Sequence, residues 1–189
     1  MPNPIDQVFS AIHRRWLKPL GFRKSGRKCI WAVSAHVVIE VAIESYPALP
    51  GGAYRFSLQI KSSWRDPSTA VHAYVYLPSY ATREQFWIVL DESSSQRVGD
   101  EVSSLFQAVA LPSIRKMQTL EGLAEIFEST PDHVSLHWYY TSYLAVLNCL
   151  GRHEAARTLL QRVMDTVEKE DVREQARALL VQQEASGAG

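Results

Sequence analysis

Apolar positions recur every three or four residues at the start of the chain. Ile5, Val8, Phe9, Ile12, Trp16 and Leu17 share one face, which predicts an amphipathic helix beginning at Pro4. Pro19 and Gly21 end it, and Arg14, Arg15 and Lys18 suit the negative end of the helix dipole. From His36 the period drops to two. Val37, Ile39, Val41 and Ile43 alternate with Val38, Glu40, Ala42 and Glu44, and Tyr54, Phe56, Leu58 and Ile60 alternate with Arg55, Ser57, Gln59 and Lys61. These are two half-buried antiparallel strands. The segment from Tyr46 to Ala53 is rich in turn formers and too short for a crossover helix, so the pair closes as a hairpin. A register with Ile43 opposite Phe56 sets Glu44 against Arg55 and Glu40 against Gln59, making the outer face polar and partly charge-paired. Lys28 to Ser34 before the hairpin, and Val71 to Leu77 or Phe86 to Leu90 after it, extend the sheet to four or five strands.

Helical spacing then returns. Val98, Val102, Leu105, Phe106 and Val109 form a stripe that Pro112 is expected to end, and Leu120, Leu123, Ala124 and Phe127 form a shorter one. Together with the first helix they supply the cover that a sheet needs. Val134 to Leu150 reads as an aromatic-rich helix capped by Gly151, and His153 to Val167 as a second, with Ala156, Leu159, Leu160 and Val163 inward. A third is expected from Val172 to Glu184 after Asp171, before a Ser-Gly-Ala-Gly end that frays. The predicted fold is α+β: a mostly antiparallel sheet of four or five strands covered by helices, then a C-terminal helical extension. The expected division is an α+β domain over 1–130 and a helical appendage over 131–185.

Composition narrows the classes. With 189 residues, 46% of them hydrophobic and 21% charged, the chain can bury a real core and is not a disordered polyelectrolyte. Twenty basic residues balance twenty acidic ones, so no global field draws it to nucleic acid or anionic lipid. The charge is segregated, however. Seven basic residues face one acid before Ser34, whereas six acids face three basic residues from Asp165 to Glu184. Cys29 and Cys149 lie far apart and read as reduced core thiols, with no zinc spacing. The N-terminus lacks the pattern of a signal peptide, no run is long enough to span a bilayer, and the cytoplasm is the expected location.

Candidate chemistry is sparse. His133 and His137 are spaced as metal ligands on a helix, but Val134 stands where a His-Glu-x-x-His site needs its carboxylate, and a helix start capped by Asp132 or Thr130 explains the segment better. Ser62-Ser63 and Ser93 to Ser95 read as polar connections without a nucleophile elbow. Gly51-Gly52 is a hairpin loop rather than a phosphate cradle. Glu40 and Glu44 share a strand face roughly 13 Å apart by strand rise, too far for a glycosidase pair. The basic N-terminal cluster with Trp16, Phe22 and Trp31 has the make-up of an RNA-binding patch, though a solvated helix face and turn account for it better. No enzymatic constellation and no cofactor are expected.

The run Trp16-Leu-Lys-Pro-Leu-Gly-Phe-Arg-Lys-Ser-Gly26, followed by strands and by Leu111-Pro112, resembles the bacterial family known as domain of unknown function 4304, over about Ile5 to Glu128. Tyr143 to Leu160, with its Gly151-Arg-His-Glu-Ala155 turn, resembles one helical hairpin of a tetratricopeptide repeat. The first resemblance implies an immunity-type protein that neutralises a toxin partner. A non-catalytic protein-binding role is therefore expected, ahead of an unrecognised enzyme and of a nucleic-acid binder. Its expected contact residues are Trp64, Arg65 and Asp66 beyond the second strand, and Glu168, Glu170, Asp171 and Glu174 on the acidic tail helix.

Overall fold

The first helix is built as its spacing requires. In the computed structural model, which describes residues 3–46, 53–66, 69–77, 87–89, 92–130 and 137–187, Asn3 caps α1 (Pro4–Ile12) by accepting the Ile5 N–H at 2.9 Å. Ile5, Val8, Phe9 and Ile12 are buried. The helix then widens into a π turn over His13–Leu17, tightens into a 3-10 turn over Lys18–Leu20 and stops at Gly21, whose φ of 93° is the left-handed conformation that glycine alone adopts freely. Pro19 has no N–H to give the carbonyl four residues back, and the irregular turns lie where that ladder is interrupted.

The strands are β1 (Arg23–Ser25), β2 (Lys28–Ala32), β3 (Val37–Tyr46), β4 (Tyr54–Asp66), β5 (Thr69–Leu77) and β6 (Trp87–Val89). They form one six-stranded sheet in the order β1-β2-β3-β4-β5, with β6 also paired to β4. The β1–β2, β2–β3 and β4–β6 pairs are antiparallel, with Arg23 opposite Ile30, Ile30 opposite Glu40, and Arg55 opposite Ile88. The α+β class, the antiparallel sheet and the C-terminal helices are as expected. Both alternative later strands are present. β4 runs on to Asp66, so Ser62 and Ser63 are strand residues rather than a connection. Ser62 is fully buried in phase with Phe56, Leu58 and Ile60, and a small hydroxyl fits that inner row.

Two more helical segments follow: α2 (Glu92–Leu105) and α3 (Leu111–Lys116), joined by a π turn over Phe106–Ala110. Pro112 therefore does not end the stripe, and Ser93 to Ser95 lie in the first turn of α2. As at Pro19, a widened turn precedes the proline and lets the helix pass the missing donor. The remaining helices are α4 (Leu120–Glu128), α5 (His137–Cys149), α6 (His153–Thr166) and α7 (Glu170–Gly187). α7 continues three residues past the expected end at Glu184.

The chain groups into two compact units, Met1–Ser63 with Tyr74–Arg115, and Trp64–Ala73 with Lys116–Gly189. α4, expected in the first domain, thus falls with the helices that follow it. In the first unit α1, α2 and the inner sheet face enclose Phe9, Leu17, Phe56, Leu58, Ile60, Val102 and Phe106, all fully buried. Two indoles tie this layer together, Trp16 Nε1 donating to Ser103 Oγ at 3.1 Å and Trp87 Nε1 to Glu101 Oε1 at 3.1 Å. In the second unit α4 to α7 pack in sequence around Phe127, whose ring lies 5.1 Å from Tyr139 edge-on and 5.2 Å from Tyr143 nearly parallel. The end of β4 and the start of β5 join this unit through Trp64 Nε1 to Met117 O at 3.4 Å and His72 N to Ser142 Oγ at 3.2 Å. No helix of the described residues is long and apolar enough to cross a membrane.

Candidate functional site: a tyrosine and cation face of the sheet

Alternation assigns one face of each strand to the core and sends the other outward. Val71, Ala73, Val75 and Leu77 of β5 are buried, so Tyr74 and Tyr76 project from the opposite face, where both are half-buried. The same phase turns Arg55, Gln59 and Lys61 of β4, and Glu40, Glu44 and Tyr46 of β3, to that outer side. The outer face that the alternation predicted as polar is thus present, and it is more aromatic than the hairpin alone implied.

Its side chains are held by one another. Gln59 Nε2 donates to Tyr76 Oη at 2.7 Å. The Tyr74 and Tyr76 rings stack with centroids 6.2 Å apart and planes 14° from parallel, and the Lys61 ammonium lies 5.4 Å from the Tyr74 centroid. One strand over, Tyr46 Oη meets Ser57 Oγ at 3.2 Å and Glu44 Oε2 at 3.5 Å, while the Arg55 guanidinium sits 5.9 Å from the Tyr46 ring. Ser57 is only 3% exposed although it points outward, because the long side chains around it close over it. Glu40 is paired with Lys28 of β2 at 3.2 Å. Burial, opposed by the Gln59 hydrogen bond and reinforced by Glu44, raises the Tyr76 pKa above the ordinary phenol value, so this hydroxyl keeps its proton at neutral pH. Tyr46, Ile30 and Ile88 remain 39%, 40% and 41% exposed at the margins of the face.

Cys29 is buried, and desolvation pushes its thiol up to about 11 despite Lys24 nearby, the reverse of what a nucleophile needs. Cys149 is exposed, which corrects the expectation of two core thiols: it stands about 200° around α5 from the buried Leu147. Both are free. His133 lies outside the described residues, as do Gly51 and Gly52. Among the described residues no cluster of three His, Cys, Asp or Glu side chains could hold a metal ion. A groove of about 830 Å³ in the second unit, lined among others by Leu144, His153, Arg157 and Leu179, carries a Glu154–Arg157 ion pair at 2.6 Å.

The residues anticipated for partner contact are arranged differently. Trp64, half-buried, commits its indole N–H to Met117; Arg65 is exposed, and Asp66 closes β4. Glu168, Glu170, Asp171 and Glu174 are all exposed around the start of α7, with Glu170 bonded to Arg173. Tyr74 and Tyr76 were not anticipated. Their signal was the alternation of Val71 to Leu77, whose outward residues went unread. No protein family, curated protein or solved structure matches the chain.

Proposed function

We propose that this chain is a non-catalytic protein-binding module, an immunity-type inhibitor that occludes a bacterial toxin in the cytoplasm, built on the plan of the domain of unknown function 4304. The observation that carries the reading is the outer sheet face, where Tyr46, Tyr74 and Tyr76 are interleaved with Arg55 and Lys61. Tyrosine and arginine are the residues that most often dominate the energetics of protein interfaces. Their mutual hydrogen bonds and ring contacts limit the side-chain entropy lost when a partner docks. The Trp64 to Asp66 segment and the acidic start of α7 are secondary contact surfaces in this reading. Membrane and cofactor have no part in it.

The test is co-expression with the protein encoded in the adjoining reading frame. A complex stable at about micromolar concentration, together with rescue of growth, supports the proposal. Absence of both a complex and protection would sink it. A spectrophotometric turnover found in the isolated protein would favour the enzymatic alternative instead.

A further inference from the structure

We infer that the partner meets the outer sheet face with an acidic protein surface. This rests on the protein-binding reading and adds the partner's chemistry to it. Cross-strand register puts Arg23, Ile30 and Glu40 in one row, and residues directly opposite in a sheet share a face. The face therefore carries the cations Arg23, Lys28, Arg55 and Lys61 against the carboxylates Glu40 and Glu44. Both carboxylates are already engaged within the protein, Glu40 by Lys28 at 3.2 Å and Glu44 by the Tyr46 hydroxyl at 3.5 Å. The excess charge offered outward is positive. Lys61 makes no ion pair among the described residues; its ammonium is steered by the Tyr74 ring, which leaves its hydrogen-bond donors for an incoming carboxylate.

Carboxylates fit this face better than phosphates do. Glu44, held by a neutral hydroxyl rather than by a cation, keeps its charge within the face and would repel a polyphosphate backbone laid along it, whereas an acidic protein patch of matching pattern can avoid it. One face of each ring is turned to its neighbour in the Tyr74–Tyr76 stack, and the Lys61 ammonium lies over Tyr74, which reduces the ring area open to base stacking. A protein surface needs only the ring edges and hydroxyls, which lie alongside the cations.

The experiment uses the full chain, three probes and two variants. The probes are the protein encoded in the adjoining frame, a short polyglutamate peptide and a single-stranded RNA oligonucleotide; the variants are Lys61→Glu and, as a control on exposed charge elsewhere, Lys18→Glu. Lys61→Glu is expected to weaken binding of the encoded protein at least about tenfold and Lys18→Glu to leave it unchanged. Raising ionic strength from about 0.1 to about 1 M, which cuts the screening length from about 10 to about 3 Å, should weaken the wild-type complex. Polyglutamate should shift the NMR resonances of Lys61, Tyr74 and Tyr76 in wild type and not in Lys61→Glu. A complex indifferent to both salt and Lys61→Glu overturns the inference while leaving the module reading intact. If no complex forms, the module reading falls, and the polyglutamate titration alone decides: absent or displaced shifts overturn the acidic ligand too. RNA that binds wild type and is lost in Lys61→Glu overturns it in favour of nucleic acid.

Discussion

Replacing Gly122 with alanine is expected to loosen the helical unit. A Cβ at this position, in the first turn of α4, would lie 2.2 Å from the Lys116 carbonyl oxygen and 2.7 Å from its carbonyl carbon and Cα. Non-bonded carbons settle near about 3.5–4.0 Å, and the obstacle is backbone that cannot swing aside. Either α4 or the preceding turn must move. That turn is tied at both ends, Thr119 N donating to Lys116 O at 3.2 Å and Thr119 Oγ1 accepting from Gly122 N at 3.0 Å. Overpacking of this kind costs about 1–3 kcal/mol, and loss of the Thr119 cap costs about 1 kcal/mol more. Alanine's better helix propensity offsets at most about 1 kcal/mol. The variant should therefore lose about 1–3 kcal/mol. Urea unfolding followed by far-UV circular dichroism measures the loss, hydrogen exchange at Leu123 to Phe127 localises it, and Thr119→Ala isolates the contribution of the cap. A Gly122→Ala protein as stable as wild type, or more so, would refute the reasoning, since the Lys116 to Thr119 turn would then yield without cost.

Alkaline pH should destabilise the same unit. Burial raises Tyr139 and Tyr140, and burial together with Glu128 pushes Tyr143 from 10.0 up to about 12. Between these values the folded state holds a proton that the unfolded state has released, so the contribution of these tyrosines to stability is fully present below about pH 10 and is lost as pH rises toward about 12. Urea midpoints at a series of pH values should show that decline, shallower in Tyr143→Phe; a rise would contradict it. Gly21→Ala must hold alanine at a φ of 93° with its Cβ 3.4 Å from Trp31 Nε1, and should cost about 1–2 kcal/mol in thermal melts. Tyr76→Phe removes the acceptor of Gln59 and should cost about 0.5–1.5 kcal/mol while leaving the circular dichroism spectrum unchanged. A Tyr76→Phe protein of undiminished stability would show that this hydrogen bond does not rigidify the face.

What local sequence could reveal depended on whether the deciding interaction was itself local. The period-two runs marked which residues of β3 and β4 face the core, because alternation is a property of each strand alone. Gly21 and Gly151 take φ of 93° and 66° where helix ends were expected, again for local reasons. Pro112 misled because proline reads as a stop, whereas the π turn over Phe106–Ala110 carries the helix past it. Ser62 misled because its hydroxyl reads as a connection although its position lies in the buried row. The candidate face was out of reach for a different reason. Tyr76 meets Gln59, and Lys61 meets Tyr74, only because β5 lies beside β4, while Glu40 meets Lys28 only because β2 lies beside β3. Strand order is a long-range choice that no single alternating segment encodes. Each segment supplied half of a pair, and the charge offered to a partner could be counted only after pairing had shown which carboxylates were already engaged.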